Sequence, residues 1–140
     1  MSDRERFGHR YDDCSFPYLW VMFHHAGRSI KPIRAILDSG AHKIMMPKRI
    51  ADYLGLKLRS SGHPFGTAGG FKEGFVAKVD KVRIGRSTLA EFENVEVVVL
   101  DADTPILIGR DPFFNRYVVI INESERSIEC IRSDIYKKKT

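Results

Sequence analysis

Cysteine is scarce in this 140-residue chain, which has Cys14 and Cys130 and no others. Two thiols make no disulfide framework, and neither sits in a CxxC pair of the kind used by redox or zinc sites. Both are read as reduced. Cys14, His24, His25 and Cys130 match no usual zinc spacing, and adjacent histidines on a strand point to opposite faces, so no metal is expected. Long apolar runs are also missing. No segment approaches the ~20 residues of a membrane span, and the charged stretch Met1–Arg10 lacks a signal-peptide core. The expectation is a cytoplasmic protein with no membrane partner. Runs of like charge are nearly absent too: the net charge is +5 and the pI about 9.3, yet only Lys137, Lys138 and Lys139 stand together. Elsewhere Lys and Arg interleave with Asp and Glu and are not set among aromatics, which favours a solvated surface over a nucleic-acid partner. No repeat, low-complexity segment or linker divides the chain, and a 43% hydrophobic content suffices for one core. One domain over 17–131 is expected, with a flexible N-terminal extension, 1–16, and a basic tail, 132–140.

Short β-branched and aromatic runs separated by Gly, Asn, Asp and Ser clusters indicate an all-β barrel or sandwich. Tyr18 to Phe23 reads as a strand, Ala26-Gly27-Arg28 as a tight turn, and Ile33 to Leu37 as a returning strand ending at Asp38. Trp20 and Phe23 read as core. Pro47, then Lys48 to Leu54, then Gly55 has the proline-first, glycine-last asymmetry of a short helix. Phe75 to Ile84 changes its apolar parity once, so a bulge or bend is expected near Asp80-Lys81. Phe92 to Leu100 is valine-rich, and Ile106-Leu107-Ile108 is apolar throughout, as in a strand buried on both faces. Asp111 reads as the cap of a second short helix with Pro112 at its first position. Tyr117 to Asn122 and Ser127 to Ile131 form a last hairpin around the acid-rich turn Glu123 to Arg126. Asp101 and Asp103 read as turn formers rather than paired acids.

Three segments carry possible chemistry. In Ile36-Leu37-Asp38-Ser39-Gly40-Ala41 an apolar strand ends on a carboxylate and turns; alone, the segment reads better as an ordinary turn. Gly66-Thr67-Ala68-Gly69-Gly70-Phe71 suits a hairpin tip, equally a lid or a plain flexible turn. Leu107-Ile108-Gly109-Arg110-Asp111, alone, is core giving way to a helix. In this order and at these separations, over roughly Pro17 to Ile131, the three resemble the retropepsin family of aspartic peptidases. The resemblance implies a single-lobe, closed barrel with one or two short helices and a glycine-rich flap hairpin. It implies that Asp38 is catalytic with Ser39 and Gly40 beside it, and that Ala41, Ala68, Gly69, Gly70 and Ile108 bind a polypeptide substrate. No cofactor is implied.

Two carboxylates about 3 Å apart cannot both ionise, so one holds a proton while the other acts as base. Such a pair can deprotonate water while protonating a peptide carbonyl. Only one Asp-[Ser/Thr]-Gly is present, because Asp103-Thr104 is followed by Pro105. The second aspartate is therefore expected from another copy, in a twofold homodimer. The chain departs from the family after Ala41, where retroviral enzymes carry acidic residues and this one has His42 and Lys43. Arg110 is thereby expected to lose its partner, and the specificity pocket to change charge. The rival reading is an inactive retropepsin-like module that only dimerises or binds.

Overall fold

The computed structural model describes residues 5–67, 70–86 and 90–136. Among them, β2 (Tyr18–His25) turns through Ala26 and Gly27, at φ 49° and 78°, into the two-residue β3 (Arg28–Ser29). β4 (Ile33–Leu37) returns along β2, and β5 (Ile44–Pro47) leads into α1 (Lys48–Leu54). β6 (Arg59–Thr67) and β7 (Gly70–Ile84) form a long hairpin, and β8 (Ala90–Leu100) pairs back along β7. The short β9 (Ile106–Ile108) precedes α2 (Phe113–Arg116) and the hairpin of β10 (Tyr117–Asn122) and β11 (Ser127–Arg132).

The larger sheet runs β3-β2-β4-β9-β5-β8-β7-β6, and a further pairing of β2 with β7 closes six of these strands into a barrel. Closure removes most free edges and gives the strands a continuous apolar interior. Val21, Phe23, Ala35, Ile44, Met46, Val79, Val97, Val99 and Ile108 in that interior are fully buried. Trp20, on the opposite parity to Val21, is only half-buried, and its ring meets the guanidinium groups of Arg34 and Arg86, whose carbons are 5.5 and 5.3 Å from its centre. The all-β closed barrel with two short helices is the expected fold.

Several details differ from the expectation. The alternation does slip at Asp80, but the β7–β8 register is the same on both sides, Val79↔Val95 and Lys81↔Glu93. Both strands slip together: Val95, Val97 and Val99 are buried beyond Asn94, Ala90 and Phe92 before it, and Asn94 itself is at φ 52°. A one-strand bulge would have shifted the register. Pro47 is the cap of α1 rather than its first residue, while Gly55 ends the helix in the left-handed conformation at φ 72°. Pro112 rather than Asp111 caps α2, and no side chain closes that helix start.

Within the segment expected as a flexible extension, Arg6–Arg10 belongs to the fold. β1 (Arg6–Arg10) pairs with β11 from Arg6↔Ile131 to Arg10↔Ser127, making a second, three-stranded sheet in the order β1-β11-β10. Phe7 packs edge-on to Tyr117 at 5.4 Å between ring centres, and Tyr11 is fully buried with its hydroxyl donating to Glu123 at 2.5 Å. At the other end β11 reaches Arg132, and the Ser133 N–H donates to the Arg116 carbonyl at 2.7 Å, so the tail starts later than expected. Residues 137–140 lie outside the described residues. Cys14 is half-buried and Cys130 fully buried, and burial pushes the Cys130 thiol up to about 12. Among the described residues no helix is long and apolar enough to cross a membrane.

Removing residues 1–10 should therefore destabilise the domain, because it bares the edge of β11 and the ring face of Tyr117. Loss of the Phe7 contact alone is expected to cost about 2 kcal/mol. Urea unfolding of the truncated and full chains checks this, and equal midpoints would show that β1 adds nothing.

Candidate active site

β4 and β9 are parallel neighbours, Ala35↔Ile106 through Leu37↔Ile108, so the segments that follow them emerge at the same end of the barrel. β5 lies on the other side of β9, which it meets at Met45↔Leu107. The loop 38–43 must consequently cross over the end of β9 to join β4 to β5. Four backbone hydrogen bonds fix that crossing. The Asp38 N–H donates to the Ile108 carbonyl at 3.0 Å and the Ala41 N–H to the Asp38 carbonyl at 3.1 Å. The Arg110 and Asp111 N–H groups donate back to the carbonyls of Ala41 and His42 at 2.9 and 2.8 Å.

Gly109 is the residue under the crossing. A Cβ there would stand 2.4 Å from the Lys43 carbonyl oxygen and 2.7 Å from that of Ala41, both backbone atoms that cannot swing away. Gly40 has a different role. Its N–H donates to Asp38 Oδ1 at 2.9 Å, and a Cβ on it would come within 3.1 Å of the same oxygen. The loop thus orients the Asp38 carboxylate with its own backbone. Asp38 is half-buried, while Ser39 and Gly40 are exposed.

An ion pair ties the loop to the third motif. Lys43 Nζ lies 3.2 Å from Glu96 Oε1 on β8 and 3.7 Å from Asp111 Oδ2, and the Lys43 side chain is only 22% exposed. Arg59 on β6 reaches Glu96 at 3.8 Å. The polarity is the reverse of an acid in the loop facing a base after the glycine: here the base is in the loop and the acid after the glycine. Arg110 is exposed and contributes through its backbone N–H. A cleft of about 470 Å³ opens beside Gly40, walled by Ala41, Met45, Val76 and Val98, with His42, Lys43 and Ser61 completing its lining.

Asp38, Ser39, Gly40 and Ala41, neighbours in the sequence, stand in the loop at the barrel end, and Gly40 and Ala41 border the cleft. Ile108, expected to touch substrate, is fully buried and meets the site only through its carbonyl. Gly70 is at φ 103° and pairs with Thr67 at the end of the β6–β7 hairpin, and Ala68 and Gly69 lie outside the described residues. Ser61 and Val76, near the base of that hairpin, line the cleft. Sequence reasoning missed Glu96, Asp111, Met45 and Val98 as site residues. The unusual Lys43 signalled a new acidic partner, but nothing local indicated that β8 would supply one.

Comparison with known proteins agrees with this geometry. A family model described as aspartyl protease matches residues 21–111, from β2 to the end of the third motif. That is more than half of the chain, and the chain belongs to this family. Among solved structures, a retropepsin-like aspartic protease from Rickettsia conorii is similar at a TM-score of 0.65 and 20% identity, over 91% of this chain and 99% of that one. The retroviral protease-like domain of Ddi1 from Leishmania major is similar at 0.53 and 17% identity, over 87% and 91%. These likenesses establish the retropepsin-like fold. No curated protein matches the sequence closely enough to count as a relative.

Gly109→Ala should destabilise the protein by about 1–3 kcal/mol, the usual cost of forcing a methyl into packed structure. Chemical denaturation reads this directly. An unchanged midpoint would mean that the loop crosses β9 more loosely than described.

Proposed function

We propose that the protein is an aspartic endopeptidase that works as a symmetric homodimer, each copy giving one Asp38 to a dyad that activates water against a peptide bond. The observation that carries this reading is the Asp38 loop itself. A carboxylate oriented by the Gly40 N–H stands half-buried at the barrel end, flanked by exposed Ser39 and Gly40. Accepting the N–H two residues on is also how an ordinary Asx-turn is built, so what favours catalysis is the place of Asp38, at the barrel end within the segment that the aspartyl protease family model spans. One Asp-Ser-Gly per chain supplies half of a dyad, and a twofold axis through the loops supplies the rest.

The chemistry needs no cofactor. With one proton shared between the two carboxylates, the ionised one takes a proton from water and the other gives its proton to the carbonyl oxygen, so the dyad titrates as one unit. The Ser39 hydroxyls are assigned to hydrogen bonds across the dyad. An extended polypeptide would lie against Ala41 and under the β6–β7 hairpin, which we assign as the flap, with Ala68, Gly69 and Gly70 at its tip. The edge strand β10 favours a second copy as partner. Among the described residues it pairs only with β11, and it carries Ile120 and Ile121, 41% and 44% exposed, without the charges or proline that usually guard an edge. The two free thiols suit a reducing, cytoplasmic setting.

Asp38→Asn keeps the size of the side chain and removes the shared proton. Cleavage of a diverse peptide mixture should vanish while sedimentation still shows a dimer, and wild-type specific activity should fall on dilution. Undiminished proteolysis by Asp38→Asn would overturn the mechanism, and partner binding without any wild-type cleavage would favour the inactive module.

Gly70→Val tests the flap. Valine is strained at φ 103°, so turnover should fall at least ~10-fold with the fold retained. Unchanged turnover with normal circular dichroism would remove the hairpin from the mechanism.

A further inference from the structure

Outside the barrel, a groove of about 430 Å³ runs between β1 and the start of β2 and plays no part in the chemistry proposed for Asp38. β1 lends it residues 7–10 and β2 residues 18–20, consecutive in both cases. Side chains alternate between the two faces of a strand, so a run of neighbours means that the groove follows strand edges. Leu19, only 1% exposed with its side chain in the core, meets the groove through its main chain.

The hydrogen bonds show which main-chain groups face it, because alternate residues of an antiparallel strand direct their N–H and C=O to opposite sides. The Glu5 carbonyl accepts from the Arg132 N–H at 2.7 Å, and the Tyr11 N–H donates to the Arg126 carbonyl at 2.8 Å. Odd-numbered residues of β1 thus turn to β11, and Arg6, Gly8 and Arg10 turn to the outer edge, which pairs with no strand among the described residues. On β2 the Pro17 carbonyl accepts from Leu37 on the β4 side and the Trp20 carbonyl from Gly85 on the other, so Tyr18 and Trp20 both face the groove. Their carbonyls are taken, by His9 Nε2 at 2.6 Å and by the Gly85 N–H at 2.8 Å, which leaves their N–H groups as the donors on that side. Arg86 adds an exposed guanidinium 5.3 Å from the Trp20 ring centre, in no ion pair among the described residues. Arg10 stands in an exposed pair with Asp12, and no carboxylate is among the lining residues.

We infer that the outer edge of β1 and this groove form a docking site for an extended, acidic segment of a partner polypeptide, which adds a strand to β1 and lays carboxylates against Arg86 and the donors of β2. An exposed edge offers main-chain bonds to any extended chain, and the side chains beside it choose among them. Here they are cations and donors. An acidic segment gains charge-assisted hydrogen bonds, while a basic one meets Arg10 and Arg86 with no lining carboxylate to relieve it. A second copy suits this edge poorly, since another β1 would set arginines against arginines, whereas β10 at the far edge of the same sheet carries exposed isoleucines. The inference does not depend on the peptidase reading.

Trp20 is the only tryptophan of the chain, so its fluorescence reads the groove directly. Asp38→Asn protein is used to keep peptides intact. Titration with an octapeptide alternating valine with glutamate should change the emission saturably, and the valine-lysine counterpart should not. The fully N-methylated glutamate peptide keeps its charges but cannot donate to a strand edge, and should bind at least ~10-fold more weakly. Arg86→Glu should weaken the acidic peptide by about tenfold or more, and Arg86→Lys should retain most of the binding. No saturable change, equal binding of the methylated peptide, or undiminished binding to Arg86→Glu overturns the inference. A change brought on by protein concentration alone gives the edge to a second copy and overturns it as well. The methylated peptide is compared on the unaltered groove, so it decides the matter even where Arg86→Glu does not fold.

Discussion

The arrangement of the site depends on one topological constraint: β9 lies between β4 and β5, so the chain joining those two must pass over its end. Parallel pairing of β4 with β9 brings Asp38 and Gly109 out side by side, and the crossing is then closed by backbone hydrogen bonds from both directions. Such bonds are individually worth little net, about 1 kcal/mol each. Together with the absence of a Cβ at Gly109 they leave the loop a single path. The direction of the Asp38 carboxylate is set by that path and by the Gly40 N–H, and the barrel core holds both strands rigid beneath it.

This dependence explains what was legible in the sequence. Leu37 to Ala41 and Leu107 to Asp111 each state their local conformation, through apolar runs that stop at an acid or a glycine. The barrel strands declare themselves by β-branched alternation, and α1 by Pro47 and Gly55. What was not legible was set by distant partners. β1 offers Phe7 and His9 on one face and two arginines and a glycine on the other, too weak a pattern to stand alone. It is a strand because β11, more than a hundred residues later, presents Ile128 and Cys130 to it. The parity change at Asp80 was visible, but its cause was not, since a single strand cannot show that its neighbour slips at Asn94 on the same rung. Asp111 looked like a cap because its attraction to Lys43 is invisible locally.

The reversed ion pair carries a physical lesson about substitution within a family. If an acid in the loop is replaced by Lys43, a buried or half-buried ammonium must find a counter-charge or be expelled to water. Asp111 stands where the third motif passes closest to the loop, bridged to Lys43 through the backbone, and Glu96 approaches from β8. The loop and the third motif are thus still held together electrostatically, with the signs exchanged. The loop member of the pair turns its ammonium to Glu96 and Asp111, so the contact that ties the two segments together also neutralises the cation.

The backbone and the side chains of this loop have separate tasks. The crossing over Gly109 is backbone chemistry, indifferent to the side chains at 42 and 43 as long as their carbonyls stay in place. His42 accepts the Asp111 N–H through its carbonyl at 2.8 Å while its imidazole remains exposed, and Lys43 crowds Gly109 with its carbonyl while its ammonium turns to Glu96. Side chains at these two positions can therefore change without moving Asp38. The loop that orients the carboxylate is also the loop that lines the cleft, and the first task is done by main-chain atoms while the second falls to side chains.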